Sequence, residues 1–351
     1  MTQEESLKTF ASHTSMQRRL YWVDYAKGIG IFLVVVGHVL RGLVNSSILQ
    51  PTPFINFVDS WIYAFHMPLF FFISGLFVQR SLSKPLNSFI LDKVYTIAYP
   101  YFIWSVIQGI FQTVGSRYTN KPSSLVDILK IGYEPIMQFW FLYTLFAIFL
   151  VYGIFNKLKL SPVLFLVFSI FIYCLHILDV SFGPWGVLYL FRRHAIYFAL
   201  GAVIGSNILT SLIDRTKIYI LLLITLAGYL VVGLAVQIQI AENLIAIPLL
   251  AIFGIGSSIT LAVLLEKFNV LPSIKNWGVF SLEIFVAHTI AASILRIVIQ
   301  KIFGITEPVI HFSLGTTIGI YAPIALSVIC SKLEFPYMFT LKKLNRKSIA
   351  T

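Results

Sequence analysis

Ten stretches of this sequence are apolar over close to the roughly 20 residues that an α-helix needs to cross a bilayer, and this feature constrains the fold more than any other. Within a few residues they run over 28–45, 55–78, 94–114, 135–155, 160–178, 186–205, 217–236, 243–264, 278–300 and 314–332. Punctuation separates them: Pro51 and Pro53, the stretch from Ser81 to Pro85, the polar segment Gly115 to Glu134, the turn Asn156 to Ser161, Gly183 with Pro184, and Leu271 to Asn276. In lipid every backbone polar group must be paired within the chain, which leaves helices or closed barrels. Runs of this length select helices. The expectation is an all-α, polytopic integral membrane protein with about ten transmembrane helices. Residues 28–332 form the membrane domain, between an N-terminal segment, 1–27, and a basic C-terminal tail, 333–351. The residues ahead of the first run are too polar for a secretory signal, and no small-residue cleavage pattern follows it, so the run is expected to be a retained span. No stretch is left over for an attached soluble domain, so a second catalytic step would fall to the membrane part or to another protein.

Only 11% of the residues are charged, less than half the share in soluble globular proteins. Yet 26 Lys and Arg against 14 Asp and Glu leave a net charge of +12. Cytoplasmic loops of membrane proteins collect Lys and Arg, and sorting the cations by an even number of spans tests that reading. With both termini on one face, that face carries 18 cations, the opposite face 5 (Arg41, Arg117, Lys121, Lys130 and Lys301), and 3 fall within spans. The split places both termini in the cytoplasm and removes nucleic acid as the reason for the charge. Cys174 and Cys330 both lie in apolar runs without CxxC or Cys/His spacing, so no metal site is expected.

A charged or ionisable group in the bilayer core is costly and marks function by default. The candidates are Asp24 and Lys27 at the start of the first run, His38 within it, His66 in the second, His176 in the fifth, Arg192, Arg193 and His194 in the sixth, and Glu283, His288 and Arg296 in the ninth. Lys27 and His38 are eleven residues apart, about three helical turns and roughly 16 Å, so the two face a common interior. Asp24, three residues before Lys27, is placed to pair with it. An imidazole can take a proton from a hydroxyl at neutral pH, which makes His38 a candidate general base. In the second run, Ser74-Gly75 is the only small pair among bulky aromatics. It marks a close helix approach or a ligand entrance, and Ser74 reads as a packing residue rather than a nucleophile. Pro68, two residues after His66, either kinks this helix or breaks it.

These residues carry a resemblance. Asp24-x-x-Lys27-Gly28 with His38, then His66-Met67-Pro68-Leu69-Phe70-Phe71-Phe72-Ile73-Ser74-Gly75, resembles the acyltransferase-3 family of integral membrane O-acyltransferases. The match is nearest to its fucose 4-O-acetylase-like and capsular polysaccharide O-acetyltransferase branch. It continues through Phe139-Trp140-Phe141-Leu142-Tyr143, Tyr197-Phe198-Ala199-Leu200-Gly201 and Gly278-x-x-Ser281-Leu282-Glu283-Ile284-Phe285-x-x-His288. Lys27 stands where the family usually has Arg, keeping the charge but not the bidentate fork. The usual arginines before the third span are replaced by Asp92-Lys93, ahead of Tyr99-Pro100.

The resemblance implies transfer of an acyl group, usually acetyl from acetyl-CoA as co-substrate, onto a sugar hydroxyl of a cell-envelope, capsular or secreted glycan, polymeric or lipid-linked, at the inner membrane. The residues accommodate this. Coenzyme A is polyanionic and cytoplasmic, and Arg18, Arg19, Lys27, Arg80 and Lys93 are the cations that could bind its phosphates. His38 would accept the acceptor's proton, with Lys27 and Asp24 orienting the donor side. His66, Ser74, Trp140, Arg192, Arg193, Glu283 and His288 are candidates for contacting or supporting the acceptor. With neither Cys placed near a base, direct transfer or passage through His38 is favoured over a cysteine intermediate. No bound cofactor is expected. A secondary transporter or exporter of a glycan or small molecule is the competing class, although no matching pair of interrupted helices marks the two halves. An enzyme with another donor, such as succinyl-CoA, is the variant within the class.

Overall fold

The computed structural model describes residues 19–115 and 125–342. Arg18 and most of both terminal segments lie outside them. Among the described residues there is no strand, and nine helices are long and apolar enough to cross a membrane. They are α1 (Tyr21–Asn45), α2 (Pro53–Leu76), α3 (Leu86–Val114), α4 (Lys130–Lys157), α6 (Gly186–Arg215), α7 (Ile218–Gln237), α8 (Ala246–Phe268), α10 (Ser281–Ile302) and α11 (Pro308–Lys332). The fifth apolar run forms a shorter helix, α5 (Pro162–Ile177), and a short amphipathic helix, α9 (Pro272–Val279), leads into α10.

The outward surface is lipid-like. On α7, Leu222, Leu223, Leu226, Leu230 and Leu234 are each at least half exposed. A soluble protein does not leave such a patch bare; in a bilayer acyl chains cover it. The polytopic all-α architecture expected from the sequence is the one observed.

The first helix is the centre of the bundle. Sixteen of its 25 residues are buried, and α2, α8, α9, α10 and α11 pack around it. Two contacts depend on residues without a side chain. A Cβ on Gly278 would lie 1.7 Å from the Asp24 carbonyl oxygen, and one on Gly28 would lie 1.8 Å from that of Ile274, so α9 sits backbone to backbone on the start of α1. Likewise a Cβ on Gly75 or Gly201 would lie 1.9 Å from the Phe198 oxygen or 2.1 Å from that of Phe72, which locks α2 to α6. Small residues at such crossings replace the hydrophobic drive that lipid cannot supply.

Proline sets two irregularities. Pro68 has no N–H to give the Ala64 carbonyl, and α2 breaks there into Pro53–Tyr63 and His66–Leu76. Pro100 follows a π-wound turn, Val94–Ala98, within α3. Such turns recur where a helix is reshaped around a site. Helix α1 begins at Tyr21 rather than near residue 28, and α3 at Leu86 rather than 94. Asp24, Lys27 and Lys93 therefore belong to ordered helical turns.

Candidate active site

The helices enclose two cavities placed end to end. The first, about 680 Å³, lies at the N-terminal end of α1 and the C-terminal end of α2. Arg19, Asp24 and Lys27 come to it from the start of α1, Ser74 and Phe77 from α2, and Arg80, Ser81 and Lys93 from the turn into α3 and its beginning. Asp24 organises the α1 cations: its carboxylate accepts from Arg19 Nε at 2.9 Å and lies 3.7 Å from Lys27 Nζ. The carboxylate is nearly buried while both cations keep partial exposure. Lys93 Nζ stands over the Phe149 ring at 4.5 Å and donates to Ser81 Oγ at 3.4 Å, with Asp92 beside it at 3.6 Å. Four cations around one cavity, against a single lining carboxylate, make a site for an anion, and the apolar Leu142, Leu145 and Phe149 in the same lining suit an apolar arm.

The second cavity, about 320 Å³, opens at the other end of α1. His38, Arg41, Tyr63, His66 and His288 gather there, with Trp140, Arg296 and His311. The ring centres of His38 and His288 are 5.0 Å apart, edge to face, and Tyr63 stands edge-on to His66 at 4.7 Å. His38 Nδ1 lies 2.9 Å from the Val34 carbonyl oxygen. A carbonyl only accepts, so Nδ1 carries the proton and Nε2 keeps its lone pair. His66 and His288 are held in the same tautomer by Ile62 and Ile284. Tying Nδ1 to the preceding turn fixes each ring and leaves the far nitrogen for chemistry. Arg41 grips Asp59 with two 2.7 Å hydrogen bonds and lies over the Tyr63 ring at 3.2 Å, fastening the end of α1 to α2.

Beside apolar residues such as Phe111 and Ala292, this cavity carries neutral polar side chains. Gln138 donates to Thr289 Oγ1 at 2.9 Å, Thr289 donates to Gln108 Oε1 at 3.0 Å, and Gln112 reaches the Met137 sulfur at 2.7 Å. Gln138 Oε1 and His288 Nε2 are buried acceptors with no hydrogen-bond partner among the described residues. A buried acceptor left unmade costs about 1–3 kcal/mol, so this wall favours a ligand that brings hydroxyl or N–H donors.

Most of the residues singled out in the sequence reach one cavity or the other. Asp24, Lys27, Arg19, Arg80, Lys93 and Ser74 line the first, and His38, His66, Trp140 and His288 the second. The common interior expected for Lys27 and His38 is divided, with each residue in a different cavity. Ser74 donates to the Phe70 carbonyl at 2.8 Å, one turn back, while its neighbour Gly75 makes the helix contact. Arg192, Arg193 and Glu283 line neither cavity: Arg192 donates to the Val180 carbonyl beside Phe182, and Arg193 bonds the Tyr189 hydroxyl at 3.1 Å. Sequence reasoning missed Tyr63, Gln108, Gln112, Gln138, Thr289 and His311. Gln108 and Gln112, four residues apart on one helical face inside an apolar run, were the available signal.

Comparison with known proteins shows the family. The acyltransferase domain of the acyltransferase-3 family matches residues 20–331. The nodulation protein NolL of Mesorhizobium japonicum is 27% identical over 218 residues, 59% of this chain and 54% of that protein. The NolL of Sinorhizobium fredii is 27% identical over 191 residues, covering 53% and 48%. The inner membrane protein YcfT of Escherichia coli is 24% identical over 238 residues, covering 62% and 65%. The chain thus spans about half to two thirds of the length of these curated relatives. No solved structure is significantly similar to it. Because the family match takes in every helix that lines the two cavities, from the start of α1 to the last turn of α11, the chain belongs to the acyltransferase-3 family of membrane-embedded acyltransferase domains.

Proposed function

We propose that this protein is an O-acetyltransferase that moves the acetyl group of cytoplasmic acetyl-CoA onto a hydroxyl of a cell-envelope, capsular or exported glycan, with His38 as general base. The observation that carries the reading is the pairing of a cation-lined cavity with a histidine-lined one along a single helix. Coenzyme A phosphates are held by Arg19, Lys27, Arg80 and Lys93, and the pantetheine arm runs along the apolar wall toward the second cavity. Family membership supports acyl transfer. The excess of cations on the face carrying the first cavity supports a cytoplasmic donor and cytoplasmic termini. A relative whose name places it in the inner membrane supports that location here.

The chemistry follows from the fixed tautomer. The acceptor hydroxyl, hydrogen-bonded to His38 Nε2, gives up its proton as its oxygen attacks the thioester carbonyl. A new ester C–O bond forms, the C–S bond breaks, and the departing thiolate takes the proton back from the imidazolium to leave as the free thiol. Atoms and charge balance without a covalent enzyme intermediate. The neutral wall of Gln108, Gln112, Gln138 and Thr289 suits a polyhydroxylated acceptor, and Trp140 offers a face for a sugar ring.

Purified protein supplied with acetyl-labelled acetyl-CoA and candidate glycans is expected to place alkali-labile label in the glycan. Glycan uptake into vesicles without labelling would instead favour a carrier.

A further inference from the structure

Among the described residues, Phe285 is the one side chain that lines both cavities. Along α10 the lining residues form one stripe with helical spacing: Ser281 and Leu282 face the cation-lined cavity, then Phe285, then His288 and Thr289 face the histidine-lined one. Phe285 therefore stands at the junction that an acyl group must reach from one cavity to meet a hydroxyl in the other.

Its surroundings are stiff. The ring is edge-on to Phe141 at 5.4 Å; Phe141 is edge-on to Phe71 at 4.8 Å and 5.9 Å from Phe70. Phe285 itself is only 5% exposed. Its centre lies 6.4 Å from the His288 ring, so the aromatic wall ends where the imidazoles begin. Interlocked rings of this kind have few alternative rotamers, and a close-packed interior does not stretch to admit extra atoms.

We infer that Phe285, backed by Phe141, sets the length of the acyl group this enzyme transfers, admitting acetyl and turning away longer chains. The inference rests on the acyl-transfer reading above. With the thioester carbonyl at the junction, a methyl group fits against the ring wall and each further methylene collides with it. A succinyl carboxylate would be pressed unpaired against aromatic carbon, which disfavours that donor as well.

The test is a competition panel of acetyl-, propionyl- and butyryl-CoA with one glycan acceptor, using wild-type protein, Phe285→Ala and Phe285→Leu. Each is taken only as the monodisperse fraction, and product is read by mass. A methylene too many in a rigid apolar pocket costs on the order of 10- to 200-fold in specificity. Wild type is expected to prefer acetyl over butyryl by at least that much. Phe285→Ala should raise the butyryl-to-acetyl ratio at least about tenfold, with Phe285→Leu in between. An unchanged ratio in either folded variant, with wild type transferring acetyl normally, would overturn the role of Phe285 alone. No acyl transfer by wild type from any of the three donors would overturn the functional reading beneath it.

Discussion

A single hydrogen bond to a carbonyl one turn back gives His38 its chemical direction, since Nδ1 held by Val34 leaves Nε2 as the only nitrogen able to take a proton. Replacing His38 by Ala is expected to lower turnover by about 10²- to 10⁴-fold, the usual contribution of a positioned base, while acyl-CoA binding measured by calorimetry stays within a factor of about three. A variant that still turned over at the wild-type rate would remove His38 from the chemistry. Lys27 belongs to the other cavity and should fail differently. Lys27→Ala is predicted to raise the KM for acetyl-CoA about tenfold, as expected for loss of one partly exposed charge-assisted contact, and to leave the acceptor KM unmoved. Asp24, Lys27 and His38 were legible in the sequence because an ionisable group in an apolar run is conspicuous. Gln108, Gln112, Gln138 and Thr289 were not, since a search for charge passes over neutral amides. Arg192 and Arg193 were equally conspicuous, yet their guanidinium groups serve the Val180 and Tyr189 neighbourhood. Charge in lipid signals constraint; it does not say whether the constraint is chemical or structural.

At the scale of elements, the apolar runs located the helices but not their starts. Helix α1 extends back to Tyr21 and α3 to Leu86 because polar turns at the bilayer edge can stay helical when their charges pair, as Asp24 does with Arg19 and Lys27. Those added turns bring Asp24, Lys27 and Lys93 to the first cavity on rigid helix rather than on loops. The break in α2 was legible at Pro68, although its position at Ala64–Phe65 follows from which carbonyl loses its partner. Pairing between helices was not legible, except where glycine allowed backbones to meet. The contact of Gly278 with Asp24 is the sharpest of these, and it seats α9 on the turn of α1 that lines the first cavity. Gly278→Ala would push a methyl into the Asp24 carbonyl, 1.7 Å away, and is expected to cost about 1–3 kcal/mol as overpacking. It should lower the thermal midpoint in detergent and weaken acyl-CoA binding together. An unchanged midpoint would mean that α9 is free to move off α1.

The whole molecule is a helical bundle holding two cavities that share Phe285 in their lining, one rich in cations and one in histidines, which the proposed function assigns to donor and acceptor. The sorting of cations supports the proposed orientation, in which the start of α1 lies on the cytoplasmic side and the loop after α1 on the other. In a background with Cys174 and Cys330 replaced by Ala, a membrane-impermeant maleimide applied to intact cells is predicted to label Ser47→Cys and to spare Ser83→Cys until the cells are opened; the reverse pattern would invert the orientation. Composition and run length revealed the membrane architecture, and the family motifs named the chemistry. The division of the interior was hidden, because it depends on which faces of α1, α2, α4 and α10 line each cavity. In the proposed reaction, donor and acceptor reach His38 from opposite sides. Its most direct test is transfer across proteoliposomes of uniform orientation, with labelled acetyl-CoA supplied only on the side of the α1 start and the glycan only on the other. His38-dependent labelling of the glycan is expected in this arrangement; label that appears only when both substrates share one side, or that persists in His38→Ala, would rule out a reaction at His38 entered from opposite sides.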